Sequence, residues 1–85
     1  MVRKKHKPII VAEWRRNQSE RIRITLEVFK GRNVIDLRTW WTDHAGKEHA
    51  GRHGITVDIS HTPRLAAGFK KARRIAKKHG LLGDE

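Results

Sequence analysis

The chain has no cysteine, no tyrosine, only two prolines and no apolar run longer than a few residues. Without cysteine there can be no disulfides, and the common zinc sites lose their thiolate ligands. The apolar run behind the basic start, Ile9 to Ala12, is too short for a signal-peptide core and far too short to span a bilayer. Acidic side chains are scarce too. Nine Asp and Glu stand against twenty Lys and Arg, a formal net charge of +11. A field of that sign draws polyanions: nucleic acid first, then an acidic membrane surface or ribosome-like packing against RNA.

A length of 85 residues allows one domain with a thin core. With disulfides excluded and the usual zinc sites lacking their thiolates, pairing with a second copy is the expected source of extra stability, so a homodimer is expected. Catalysis is not expected. Asp36, Asp43 and Asp58 are scattered in sequence, with no paired carboxylate or basic catalyst beside them. His44, His49 and His53 share a segment with Asp43, but their spacing matches no helical His-Glu-x-x-His pair, so neither a metal nor another cofactor is expected.

Along the chain, residues 1–7 read as a basic arm, and residues 1–19 as that arm with a short strand in "KPIIVAEW". The first clear alternation follows. Ile22, Ile24, Leu26 and Val28 fall on one side, and Arg23, Thr25, Glu27 and Phe29 on the other, with Phe29 on the wet face. "KGRN" then reads as a hairpin turn in which Gly31 supplies a positive φ. A second strand is predicted over 33–42, with Ile35 and Leu37 on one face and Val34, Asp36, Arg38 and Trp40 on the other. Residues 43–54 hold three glycines and no apolar period, which predicts a long loop or a bulged hairpin arm, and "ITVDI" is the last strand.

The tail changes period. Ser60 or Thr62 is the expected helix cap, with Pro63 in the first turn, where its missing N–H costs nothing. At about 100° per residue, Leu65, Phe69, Ala72, Ile75 and Ala76 share one arc, and Lys70, Lys71, Arg73, Arg74, Lys77 and Lys78 share the other. Gly80 should end the helix, leaving 81–85 as a tail. The apolar arc suits packing across a dimer two-fold, whereas the basic arc reads as a solvated face. That apolar arc is rich in alanine and a poor membrane anchor, so no membrane partner is expected.

Between Phe29 and Ile55, "FKGRNVIDLRTWWTDHAGKEHAGRHGI" chains several motifs: aromatic-Lys-Gly-basic, Asp-apolar-Arg-x-aromatic-Trp-x-Asp, and a closing Gly-Arg-x-Gly-Ile. The stretch resembles the transcriptional positive cofactor four family, coactivators whose compact domain binds single-stranded DNA. The resemblance covers roughly residues 20–80. It implies an α+β fold: a curved antiparallel sheet of about four strands, then one C-terminal helix, paired as a homodimer with sheet-lined channels for unpaired DNA. It also implies that Phe29, Lys30, Arg32, Arg38, Trp41, Arg52 and His53 occupy the nucleic-acid face.

The chemistry of these residues fits that implication. A binder of single strands without sequence preference needs aromatic platforms for exposed bases and cations that follow the phosphates. Phe29, Trp40 and Trp41 can supply the first, and Lys30, Arg32, Arg38 and Arg52 the second. The resemblance favours Trp41 as the stacking residue, while strict alternation puts Trp40, not Trp41, beside Arg38 unless a bulge intervenes. Trp14 reads as a packing anchor, Gly51 and Gly54 as backbone devices for re-entering the sheet. The expected protein is cytoplasmic and nucleoid-associated. It would bind single-stranded DNA, and duplex DNA or RNA more weakly, and serve transcription, with the transcription machinery as a further partner, or repair and replication. The alternative is a structural protein that coats duplex DNA or packs on RNA through its basic arm and helix.

Overall fold

Three tight turns and sustained alternation fold the chain into one open antiparallel sheet with strands in sequence order, followed by a single helix. A computed structural model describes residues 7–83. The strands are β1 (Ile9–Arg15), β2 (Glu20–Phe29), β3 (Arg32–Thr42) and β4 (Glu48–Asp58); a short 3₁₀ turn, Ile59–His61, leads into α1 (Thr62–Lys78). The basic arm expected over residues 1–7 lies outside the described residues, except for Lys7. The short strand expected behind it is β1, which pairs with β2 from Ile9↔Leu26 to Arg15↔Arg21.

Each turn has a local cause. Between β1 and β2, Asn17 Oδ1 accepts the backbone N–H of Ser19 (2.9 Å) and of Glu20 (2.8 Å). Between β2 and β3, Lys30 and Gly31 both take positive φ, 51° and 75°, and this mirror-image pair matches the right-handed twist of the strands it joins. Between β3 and β4, Asp43 Oδ1 accepts from the N–H of Ala45 and of Lys47, each at 2.9 Å.

That third turn decides between the two readings of 43–54, a long loop or a bulged hairpin arm, in favour of the bulged arm. Strand pairing resumes at Glu48, opposite Thr42, and β4 runs on to Asp58. Its period is hidden in the sequence because β4 carries the bulge: Trp40 faces Ala50, yet Arg38 faces Gly54. Gly51 and Gly54 are the residues that let the bulged strand approach β3. A Cβ on Gly54 would sit 2.6 Å from the Leu37 carbonyl oxygen, and one on Gly51 would collide with the Thr39 hydroxyl.

The helix start also differs from expectation. Asp58 caps the 3₁₀ turn by accepting the Ser60 N–H (3.1 Å), and His61 is the N-cap of α1 without a side-chain bond, so neither Ser60 nor Thr62 caps it. Thr62 instead donates its hydroxyl back to the Ile59 carbonyl (2.7 Å). The far end is as expected: Gly80 has φ 68°, and Leu81 N–H reaches the Ala76 carbonyl (2.8 Å) while Gly80 N–H reaches that of Lys77 (3.2 Å).

Extents of 47 × 37 × 18 Å describe a single thin layer with little interior. Val34 is the one buried apolar side chain among the described residues. The sheet's apolar face, with Ile22, Ile24, Leu37 and Ile55, is covered only in part: Leu65 and Phe69 of α1 approach it, and Phe69 is still 58% exposed. No helix among the described residues is long and apolar enough to cross a membrane.

Candidate nucleic-acid interface

The polar face of the sheet follows from the register. Because Arg23 faces Arg38, Thr25 faces Asp36 and Phe29 faces Arg32, the polar alternates of β2 and β3 lie on one side. On that side Phe29, Arg38 and Trp40 border a depression of about 320 Å³, floored by Val34, Asp36 and Ala50. Phe29 stands at its edge, 56% exposed, with Lys30 Nζ 5.3 Å from its ring centroid. These are four of the residues expected on the nucleic-acid face.

Arg38 is fixed rather than free. Its Nε and Nη2 donate to buried Asp36 Oδ1 (3.2 and 3.0 Å), its Nη1 donates to the Gly51 carbonyl (3.2 Å), and its Nη2 also reaches Thr56 Oγ1 (3.2 Å). Thr56 in turn donates its hydroxyl to Asp36 (2.5 Å). A planar cation anchored at this many points offers a flat, preorganised surface, and its charge is already half satisfied. Arg32 is likewise paired: its Nε and Nη2 donate to Asp58 Oδ1 (3.1 and 3.0 Å). The hydrogen bonds that Ser60 gives Asp58, and then the Arg32 contact, hold that carboxyl at about 2, below its ordinary 3.8.

A second cluster on this face was not anticipated from the sequence. Arg23 is 5% exposed, and its guanidinium carbon lies 4.4 Å from the Trp40 ring centroid. Its Nη2 donates to Glu13 Oε2 (2.8 Å) and Glu48 Oε2 (2.9 Å), and Arg21 donates to the same two oxygens (2.8 and 2.6 Å). The Arg23 hydrogen bond lowers both the Glu13 and the Glu48 carboxyl below the ordinary 4.5. The cluster joins β1, β2 and β4 over a tryptophan of β3. Its sequence signal went no further than Arg23 sharing the Phe29 side of its strand and Trp40 sharing the Arg38 side of the next; the partners depend on a register that sequence does not display.

The remaining candidates lie apart. Strand β3 pairs with β2 without interruption, so the bulge, being in β4, does not move Trp41 onto the polar side. Trp41 is 42% exposed and stacks on His49, with ring centroids 4.4 Å apart. His49 Nε2 lies 2.8 Å from Asp43 Oδ2, a contact that is the main cause of the lowered Asp43 pKa. His53 lines the apolar face near Trp14 and Ile55, its carbonyl accepting from Thr39, and the carbonyl of exposed Arg52 accepts from Arg38 Nη1 (3.4 Å). Trp14 borders the same apolar groove and stays half exposed. Among the described residues no three His, Asp or Glu side chains are grouped to hold a metal.

Comparison with known proteins agrees with the fold. No curated protein sequence matches the chain. Among solved structures, a PC4 homolog from Burkholderia pseudomallei K96243 superposes with a TM-score of 0.71 at 24% identity, covering 85% of this chain and 97% of that one. A bacteriophage T5 homolog of the eukaryotic transcription coactivator PC4, implicated in recombination-dependent DNA replication, gives a TM-score of 0.58 at 17% identity, over 88% of this chain and 82% of its own. Residues 16–67, which carry three of the four strands and the start of the helix, match the family described as Transcriptional Coactivator p15 (PC4). The chain therefore belongs to the PC4 family of DNA-binding proteins.

Proposed function

We propose that this protein is a non-catalytic binder of single-stranded DNA with little sequence preference. The observation that carries the reading is the depression bordered by Phe29, Arg38 and Trp40. Two aromatic rings and one anchored guanidinium plane offer π-faces to any base, and none of them reads a base edge. Lys30, beside Phe29, and the exposed Arg52 supply charge for the phosphates. Trp40 rather than Trp41 is the stacking tryptophan, because it lies on the same face as Arg38.

The protein acts as a homodimer. A lone chain with one buried apolar side chain among its described residues has too little core to stand alone, and Phe69, Ile75, Trp14 and Ile55 present apolar surface to water. The apolar groove between α1 and the sheet, lined by Ile35, Ile55, Leu65 and Phe69, is the surface that a second copy would cover. The family's description as a coactivator and the phage relative's link to replication support work on unpaired DNA in transcription, replication or repair, at the nucleoid.

A titration of tryptophan fluorescence with a dT oligomer tests the reading, run on the Trp41→Phe and Trp40→Phe variants alongside sedimentation. Quenching that persists in Trp41→Phe and vanishes in Trp40→Phe supports it. Absence of quenching in both, with equal binding to a duplex, sinks it. A sedimenting monomer at micromolar concentration sinks the dimer.

A further inference from the structure

Four arginines of the sheet are neutralised in place, Arg21 and Arg23 by Glu13 and Glu48, Arg32 by Asp58 and Arg38 by Asp36, while Arg15 and Arg52 keep their charge exposed. On α1 five cations stand together differently: Thr62–Lys78 contains no Asp or Glu, and no carboxylate among the described residues reaches Lys70, Lys71, Arg74, Lys77 or Lys78.

Those five side chains form one stripe. At about 100° per residue they centre opposite the arc of Leu65, Phe69, Ala72 and Ala76, and all five are exposed. A merely solvated helix face mixes signs and gains from opposite charges four apart; here Lys70 and Arg74, and Arg74 and Lys78, are like charges at that spacing, which weakens the helix. The last-turn dipole accounts for Lys77 and Lys78 but not for cations in mid-helix. The arrangement is costly for folding alone and suited to an external polyanion.

We propose that the cationic stripe of α1 is a second nucleic-acid surface, and that it takes the phosphate backbone of duplex DNA. From Lys70 to Lys78 the stripe covers about 12 Å of helix, along which a duplex presents about seven phosphate charges. It carries no aromatic side chain, so it offers unpaired bases nothing to stack on, in contrast to the polar sheet face. Leu65 and Phe69 turn the other side of α1 toward the sheet's apolar face, so the stripe points away from it and stays open whether or not a second copy covers the apolar arc. A duplex on α1 and an unpaired strand on the polar face would not compete. The inference goes beyond the single-strand reading and does not need it to hold.

The test uses the full chain, with binding of a blunt duplex of about 20 base pairs and of a dT oligomer followed by anisotropy over a range of salt. In Lys70→Gln/Arg74→Gln/Lys77→Gln, duplex binding should weaken at least tenfold at low salt and its log–log salt slope should become shallower by about three, at about 0.9 per phosphate contact. Binding of dT should change less than twofold. A control, Lys7→Gln/Arg15→Gln/Lys47→Gln, removes the same charge from exposed sites outside α1 and should leave duplex binding within twofold. An unchanged duplex affinity in the helix variant overturns the proposal. So does an equal loss in the control, which would mean net charge alone, or a parallel loss of dT, which would mean that α1 serves the same strand as the sheet. Tighter binding to phosphatidylserine vesicles than to duplex at equal anionic charge would overturn it in favour of a membrane surface.

Discussion

The guanidinium of Arg23 sits 4.4 Å from the centre of the Trp40 ring and between the carboxylates of Glu13 and Glu48. A buried cation held by two acids and a π-face is part of the sheet's structure, not a cation waiting for phosphate. Arg23→Ala should therefore lower stability, by about 2–3 kcal/mol in a urea melt, toward the low end for a broken buried pair because both carboxylates keep some solvent. It would also bare the one face of Trp40 that Arg23 covers, seen as a red shift in its emission. A variant as stable as the parent would mean that Glu13, Arg21 and Glu48 close the cluster unaided.

Phe29 gives the opposite pattern. It is more than half exposed and its ring supports no core, so Phe29→Ala should leave the melting temperature within about a degree. If it is a base platform, dT binding should weaken by about 1–3 kcal/mol, roughly five- to 150-fold. Anisotropy titration beside a thermal melt reads both. Lost stability with unchanged affinity would make Phe29 a packing residue.

How much of this was visible in the sequence depends on how far apart the interacting residues are. The alternation of Ile22–Val28 and the Lys30-Gly31 turn are local, and both were legible, as was Gly80 at the helix end. The first half of β4 was not. Glu48–Gly54 has no apolar period, since its ladder is bulged and two glycines stand where side chains would mark the faces. The acid–base cluster was hidden for another reason: Glu13, Arg23 and Glu48 meet only after three registers are set. Parity placed Arg38 and Trp40 together on β3, and Phe29 joins them through the β2–β3 register, whereas the family pattern, which singles out Trp41, does not encode a face.

The bulge makes a prediction about glycine. A Cβ at position 54 would lie 2.6 Å from the Leu37 carbonyl oxygen and 2.9 Å from Arg38 Cα and Cβ, atoms of the neighbouring strand that cannot swing aside. Gly54→Ala should cost about 1–3 kcal/mol and disturb Arg38, whose partners include the adjacent Gly51 carbonyl. Gly68, inside α1, has open space around it, so Gly68→Ala should instead stabilise by about 0.5–1 kcal/mol. Chemical denaturation of the two variants checks the pair. If Gly54→Ala were neutral, β4 would have to yield more than a bulged ladder normally does.

Acid should act on the junction between sheet and helix. Asp58 caps the 3₁₀ turn and holds Arg32, and its folded-state carboxyl is lowered from 3.8 to about 2. A carboxylate with a depressed folded pKa contributes stability that is fully present above its unfolded value and is lost as pH falls through the folded one. Glu13 and Glu48 are also lowered, from 4.5, and Asp43 from 3.8, so they act in the same direction. The melting temperature should accordingly be level from pH 7 to about 5 and fall between about pH 4.5 and 2. Asp58→Asn removes the lower part of that titration: the variant should melt earlier at neutral pH and lose less on going to pH 2. An identical acid profile in parent and variant would show that Asp58 is not the group whose protonation loosens the start of α1.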